Sequence, residues 1–196
     1  MSRNPYHTES LEPSLRRSVL AYFDILGYTD LVKDAYAAGT QSQMLANIYG
    51  ALDAGRGWLE ERLPKGEPYE VELNRAFSKD RYALKAFTDN IVIGWPIRDD
   101  AESEMSDAYW KLIDFQLHMA LAGFFVRGAI AIGDAYVDDV AVFGKALLEA
   151  HDAESKIARD PRIILTAPAR DALKLHLMPA SCLRARRRFA SVGACN

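Results

Sequence analysis

The chain begins with a change in polarity. Residues 1–14 are polar, hold two prolines and read as a loose arm. "RRSVLAYFDI" (16–25) then runs almost continuously apolar, as a central strand covered on both faces does. "GYTDLVKDAYAAG" (27–39) and "QSQMLANIYGALDAGRGWLEERL" (41–63) predict helices; in the second, Met44, Ile48, Leu52 and Leu59 fall near helical spacing. "EPYEVELNRAF" (67–77) alternates like a strand. "RYALKAFTDNIVIGWP" (81–96) reads as a β-hairpin turning at Thr88-Asp89-Asn90. "DAESEMSDAYWKLIDFQLHMALAG" (100–123) is amphipathic, with acids crowding its first turns and Gly123 as its stop. "FFVRGAIAIGDAYV" (124–137) predicts a strand running into a second hairpin near Asp138-Asp139. A helix over 144–158, ended by Asp160-Pro161, a short strand "RIILT" (162–166), a weak helix and a basic tail complete the pattern.

The order β-α-α-β-β-β-α-β-β-α-β predicts an α/β sandwich with a largely antiparallel sheet and helices on one face. At 196 residues there is room for one good core. We place an N-terminal arm at 1–14, a single domain at 15–180 and a basic tail at 181–196.

Charge and cysteine content narrow the function classes. A net charge of −3 gives no footprint for nucleic acid. No apolar run reaches the ~18 residues of a membrane span, and the start lacks the apolar core of a secretory signal. Two cysteines, Cys182 and Cys195, suggest a reducing compartment. The expected location is therefore the cytoplasm.

The candidate chemistry lies in two acids. Asp24 ends a buried strand, and a carboxylate in so apolar a context needs a partner. Asp89 sits in the hairpin turn, where Asp is also a common turn residue. If the two strands are neighbours, ~4.8 Å apart, the carboxylates repel unless a proton or cation joins them. A hard divalent ion such as Mg²⁺ or Mn²⁺ would resolve that conflict. Gly27-Tyr28-Thr29 open the next helix, whose first amides favour anions. Other constellations fail. His7, His118, His151 and His176 lack metal-ligand spacing, "FGK" at 143–145 is no Walker loop, and no nucleophile elbow occurs. Asp138-Asp139 reads better as a solvated bend than as a second acid site. Arg184, Arg186, Arg187 and Arg188 read as an exposed tail.

These pieces, taken in order, resemble class III nucleotide cyclase domains. "FDILGYTDL" is similar to their "F-x-D-I-x-G-F-T-x-L" start. "LKAFTDNIVI" is similar to their "K-x-x-G-D" hairpin, with Thr88 in place of the glycine. "VRGAIAIGD" and "VFGKALLEAHDAESKIA" are similar to two later blocks, so the likeness spans roughly residues 17–165. Within that superfamily the wording resembles the pyrimidine nucleotide cyclases of the Pycsar antiphage systems. The resemblance implies a ferredoxin-like core and a head-to-tail homodimer with two metal-dependent sites at its interface. It implies two Mn²⁺ or Mg²⁺ ions per site, on Asp24, Asp89 and the Ile25 carbonyl. It implies substrate binding by Phe23, Gly27, Tyr28, Thr29 and Lys85. The implied reaction is UTP to cyclic UMP, with CTP as the alternative substrate and a separate effector reading the product.

Three positions depart from the family pattern. Leu148 and Asp152 stand where purine cyclases carry a transition-state Asn and Arg, and Ala141 stands where they carry a base-reading acid. Arg127, Lys156 and Arg159 are candidate replacement cations. A non-catalytic nucleotide-binding domain and a ligand-free interaction module are the rival readings.

Overall fold

The computed structural model describes residues 4–60 and 81–177. The strand expected at 67–77, the basic tail and both cysteines lie outside the described residues.

Strand β1 (Arg16–Ile25) runs between β3 (Asn90–Pro96) and β4 (Val126–Val137), antiparallel to both. β2 (Ala83–Phe87) extends the sheet beyond β3; β5 (Val142–Phe143) and β6 (Ile163–Leu165) pair with opposite ends of β4, β6 in parallel. The helices are α1 (Tyr28–Ala37), α2 (Gln41–Glu60), α3 (Glu102–Leu121), α4 (Lys145–Ile157) and α5 (Ala167–Leu177). The predicted mixed α/β core with a mostly antiparallel sheet is what the chain forms.

β1 is apolar along both parities because helices cover both of its faces. Val19, Ala21, Phe23 and Ile25 point into a layer of large side chains with Ile91, Ile93 and Trp95, and with Leu112, Phe115 and Met119 of α3. Leu20 points the other way, into a layer of small ones: Ala129, Ala131 and Ala135 of β4 against Ala146 and Ala150 of α4. Alanines on both sides let α4 lie close to the sheet. The helix layer expected on one face is thus divided between two. The pattern alone could not assign α4 to a side, because an alanine stripe looks the same from either.

α4 covers only part of its face. Along β1 the unbroken burial ends at Tyr22 and Asp24, which share that face and are half-buried. Gly123 (φ 87) ends α3 as the sequence predicts, with the Phe124 amide donating back to the Met119 carbonyl at 2.9 Å.

The loose arm is a correction. Tyr6 is fully buried, and its hydroxyl donates to Ser18 Oγ at 2.9 Å. Asn4 Nδ2 donates to the Val137 carbonyl at 3.1 Å. Gly94 makes this possible, because any Cβ there would collide with the Tyr6 ring and Val137. One aromatic residue seated over one glycine is a tertiary event that local composition does not encode.

Candidate active site

Antiparallel register fixes the site. Asp24, one residue from the end of β1, lies opposite Asn90 on one side and Arg127 on the other. The β2–β3 turn is only Thr88-Asp89, since Phe87 pairs with Asn90. The Ile25 amide donates to the Asp89 carbonyl at 3.2 Å, which holds the turn beside the strand end. The two predicted carboxylates are thereby neighbours, with their side chains in hydrogen-bond reach of each other.

The electrostatics are those of a site short of positive charge. Burial, then the contact with Asp89, raise the Asp24 pKa from 3.8 to about 6, although Arg127 opposes the shift. Arg127 reaches only one oxygen of Asp24: Nη2 lies 3.1 Å and Nε 3.4 Å from Oδ2. Its Nε also forms an ion pair at 2.6 Å with Glu154, which α4 buries. Two carboxylates, those of Asp24 and Glu154, thus share one guanidinium, and Asp89 adds a third acid beside Asp24.

Asp89 is oriented by its neighbours, accepting from Thr88 Oγ1 at 2.6 Å and Asn90 Nδ2 at 3.1 Å. Thr88 takes a left-handed φ of 54, strained for a β-branched residue and easy for the glycine of the resembled motif. Tyr22 donates to Asn90 Oδ1. Burial, followed by the charges of Glu154, Asp24 and Asp89, pushes its hydroxyl pKa up to about 12, so it stays a donor. The His151 ring packs edge-on against it at 5.4 Å.

The remaining predicted residues divide. Gly27 (φ 75) is the N-cap of α1, and no side chain caps that helix, so Tyr28 and Thr29 open it beyond the end of β1. Lys85 shares the Asp24 face, since it pairs with Val92, which pairs with Tyr22. Its ammonium donates to the Asp139 carbonyl at 2.6 Å, bringing it to the β4–β5 turn that carries Ala141. Phe23 departs from expectation. Its side chain is fully buried on the opposite face, 6.0 Å from the Phe115 ring, so only its backbone borders the site. Asp138-Asp139 is no free bend either. Asp138 accepts from the Val140 and Ala141 amides and from Tyr136.

Of the replacement cations, Arg127 is in the site. Lys156 is bound to Asp152 at 2.7 Å. Glu154, Tyr22 and Asn90 were not read from sequence. Glu154 had a signal: it continues the four-residue spacing of Ala146 and Ala150, a charge on the buried stripe of its helix.

A hard cation fits this donor set. Two close carboxylates, that of Asp24 with a raised pKa, followed in sequence by the Ile25 carbonyl, suit an ion that completes its shell with phosphate oxygens and water. Among the described residues no group of three or more His, Cys, Asp or Glu could by itself hold a metal ion.

Neither a family model nor a curated protein matches the sequence. Solved structures do. The monomeric guanylyl cyclase domain of the RhoGC fusion protein from Blastocladiella emersonii aligns at TM-score 0.54 and 16% identity, covering 82% of this chain and 87% of that one. The guanylate cyclase domain of RhGC from Catenaria anguillulae, in complex with GTP, aligns at 0.53 and 15%, covering 82% and 84%. A class III adenylyl cyclase-like ATP-binding protein from Pseudomonas aeruginosa aligns at 0.52 and 14%, covering 81% of this chain and 35% of that one. The chain has the class III cyclase core fold. No described helix is long and apolar enough to cross a membrane.

Proposed function

We propose that this protein is a metal-dependent pyrimidine nucleotide cyclase, converting UTP to 3′,5′-cyclic UMP and pyrophosphate. The observation that carries the reading is the Asp24–Asp89 pair, set at a strand end and a hairpin turn of a class III cyclase fold, with Asp24 held at a proton affinity that calls for a cation. In the reaction the ribose 3′-oxygen loses its proton, bonds to the α-phosphorus and displaces pyrophosphate. A bound Mn²⁺ or Mg²⁺ would make that hydroxyl more acidic and offset the charge of the leaving phosphates. Asp24, Asp89 and the Ile25 carbonyl hold the ions; the Gly27, Tyr28 and Thr29 amides face the triphosphate. Arg127, pinned by Glu154, keeps the Asp24 carboxylate in one orientation, as residues behind a metal ligand do.

The preference for UTP rests on the β4–β5 turn. Lys85 is tied to that turn, and Ala141 offers no side-chain acceptor for an adenine amino group. A site without that hydrogen bond loses its main means of selecting adenine. Lys85 suits a carbonyl of uracil, and CTP is the nearest competitor. The product would act as a second messenger on a separate effector in antiphage defence, a role supported only by the sequence resemblance.

The site is completed by a second copy. Phe87, Phe143 and Leu148 are 67%, 64% and 69% exposed. By register Phe87 lies on the face that α4 leaves open. Exposed apolar side chains of this kind suit a two-fold contact that gives two equivalent sites.

One observation favours a second reading, a domain that binds nucleotide without turning it over. Asp152 points a paired carboxylate, and Leu148 an exposed apolar side chain, where the resembled enzymes place their transition-state groups. Incubation with ATP, GTP, CTP and UTP separately, each with Mn²⁺, decides between the two. Cyclic UMP as main product supports the proposal, cyclic CMP revises the base, cyclic purines refute the pyrimidine reading, and nucleotide binding without product establishes the second reading.

A further inference from the structure

The sheet face that carries Asp24 has a second polar centre at its other end. Here the docked arm, the start of β1, the approach to β2 and the exit from β3 enclose a groove of about 670 Å³. It is lined by Arg16, Arg81, Arg98 and His7, with Glu9 as its one acid. Arg16 opens β1 and Arg81 precedes β2 by two residues, and both line this groove. In a chain of net charge −3, three guanidiniums against one carboxylate is a local reversal of sign.

The walls do not depend on a ligand. Tyr6 and Asn4 fasten the arm, and the Ile97 amide donates to the Arg17 carbonyl at 2.8 Å. Among the described residues no acid ion-pairs with Arg16, Arg81 or Arg98. Arg81 Nε is buried from solvent with no hydrogen-bond partner. A buried donor left unmade is costly and calls for an explanation. Asp107, the buried acid whose charge Arg81 does influence, is already engaged by Trp95 Nε1 at 2.7 Å and by Lys111 at 3.7 Å.

We propose that this groove is a binding site for a small phosphorylated molecule, separate from the Asp24 centre. Guanidinium forks match phosphate oxygens two at a time, and several converging forks favour a ligand with more than one anionic group. The volume is that of a small-molecule site. Arg16 and Asp24 sit eight residues apart on one extended strand, so the two sites are on the order of 25 Å apart and can be occupied together.

Calorimetric titration with inorganic pyrophosphate tests this. EDTA is present throughout, which removes any binding through metal at Asp24 and Asp89. The expected result is saturable binding of one pyrophosphate per chain. Arg98→Gln and Arg16→Gln, both at exposed positions that leave the core intact, should each weaken it by at least about tenfold, the value of a charged hydrogen bond. Arg81→Lys should weaken it too, with an unchanged melting temperature, and Asp24→Asn should not. The proposal is overturned by no saturable binding, by binding that survives the arginine substitutions, or by binding that Asp24→Asn removes. A short single-stranded oligonucleotide forms the second arm. Arginine-dependent binding of the oligonucleotide in preference to pyrophosphate also overturns it, since the site would then serve a polymer.

Discussion

Asp24 near the end of β1 and Asp138 just past the end of β4 are two half-buried acids, and their surroundings push them in opposite directions. Burial works against the Asp138 carboxylate as it does against Asp24. At Asp138 the Tyr136 hydroxyl, the amides of Ala141 and Val140 and nearby His7 outweigh it, and the pKa falls below 3.8. At Asp24 the neighbour is another acid, and the pKa rises to about 6. Asp138 closes the β4–β5 turn and needs nothing more. Asp24 is left with a charge the protein does not fully answer. Structural acids are satisfied by the fold, whereas acids reserved for a ligand are satisfied only when it arrives.

The largest expected effect separates the two acids by function. Asp24→Asn or Asp89→Asn should lower turnover at least about 100-fold, the scale of losing a charge-stabilising group, while circular dichroism stays native. Asp138→Asn should keep kcat and shift only KM and melting temperature. Equal losses of kcat in all three would erase the distinction.

The next effect concerns what lies behind Asp24. Arg127→Met strands Glu154 as a buried charge and should lower unfolding free energy by about 3 kcal/mol in urea melts. Arg127→Met/Glu154→Met should recover most of that loss. A single variant as stable as the parent would mean that the ion pair does not hold the site.

The pH dependence of stability sharpens the comparison, because the two acids have opposite signs. Folded Asp24 holds its proton up to about pH 6, so in EDTA its share of stability increases as pH falls from 6 toward 4. The share from Asp138 is fully present above its ordinary value of 3.8 and is lost as pH falls through its lower folded value. Thermal melts between pH 7 and 3 should show that Asp24→Asn removes the first trend and Asp138→Asn the second. The same slope in both variants would contradict the assignment.

The smallest effect is at the turn. Thr88→Gly relieves a left-handed threonine and should stabilise the metal-free fold by about 1 kcal/mol, while losing the hydroxyl that orients Asp89. A destabilised glycine variant would show that the Thr88–Asp89 hydrogen bond outweighs the strain.

Asp24, Asp89, Gly27 and the hairpin were legible because each depends on local pattern: a strand end, a turn, a helix start. The division of helices between two faces was not, since Ala146 and Ala150 carry no directional signal. The arm was misread because polar, proline-containing residues usually leave the fold, and only Gly94 beneath Tyr6 reverses that. Phe23 adjoins Asp24 in sequence, yet alternation along β1 sends its side chain to the far side of the sheet. The Arg127–Glu154 pair joins a strand and a helix 27 residues apart, a contact that register, rather than spacing, creates.

The central claim is that Asp24 and Asp89 await a divalent cation, and direct Mn²⁺ titration tests it without any assumption about substrate. Free Mn²⁺ is followed by electron paramagnetic resonance in the parent protein, Asp24→Asn and Asp138→Asn. Binding by the parent and Asp138→Asn, with loss of that binding in Asp24→Asn, is the predicted result. No binding by the parent, or identical binding by all three, would contradict the account.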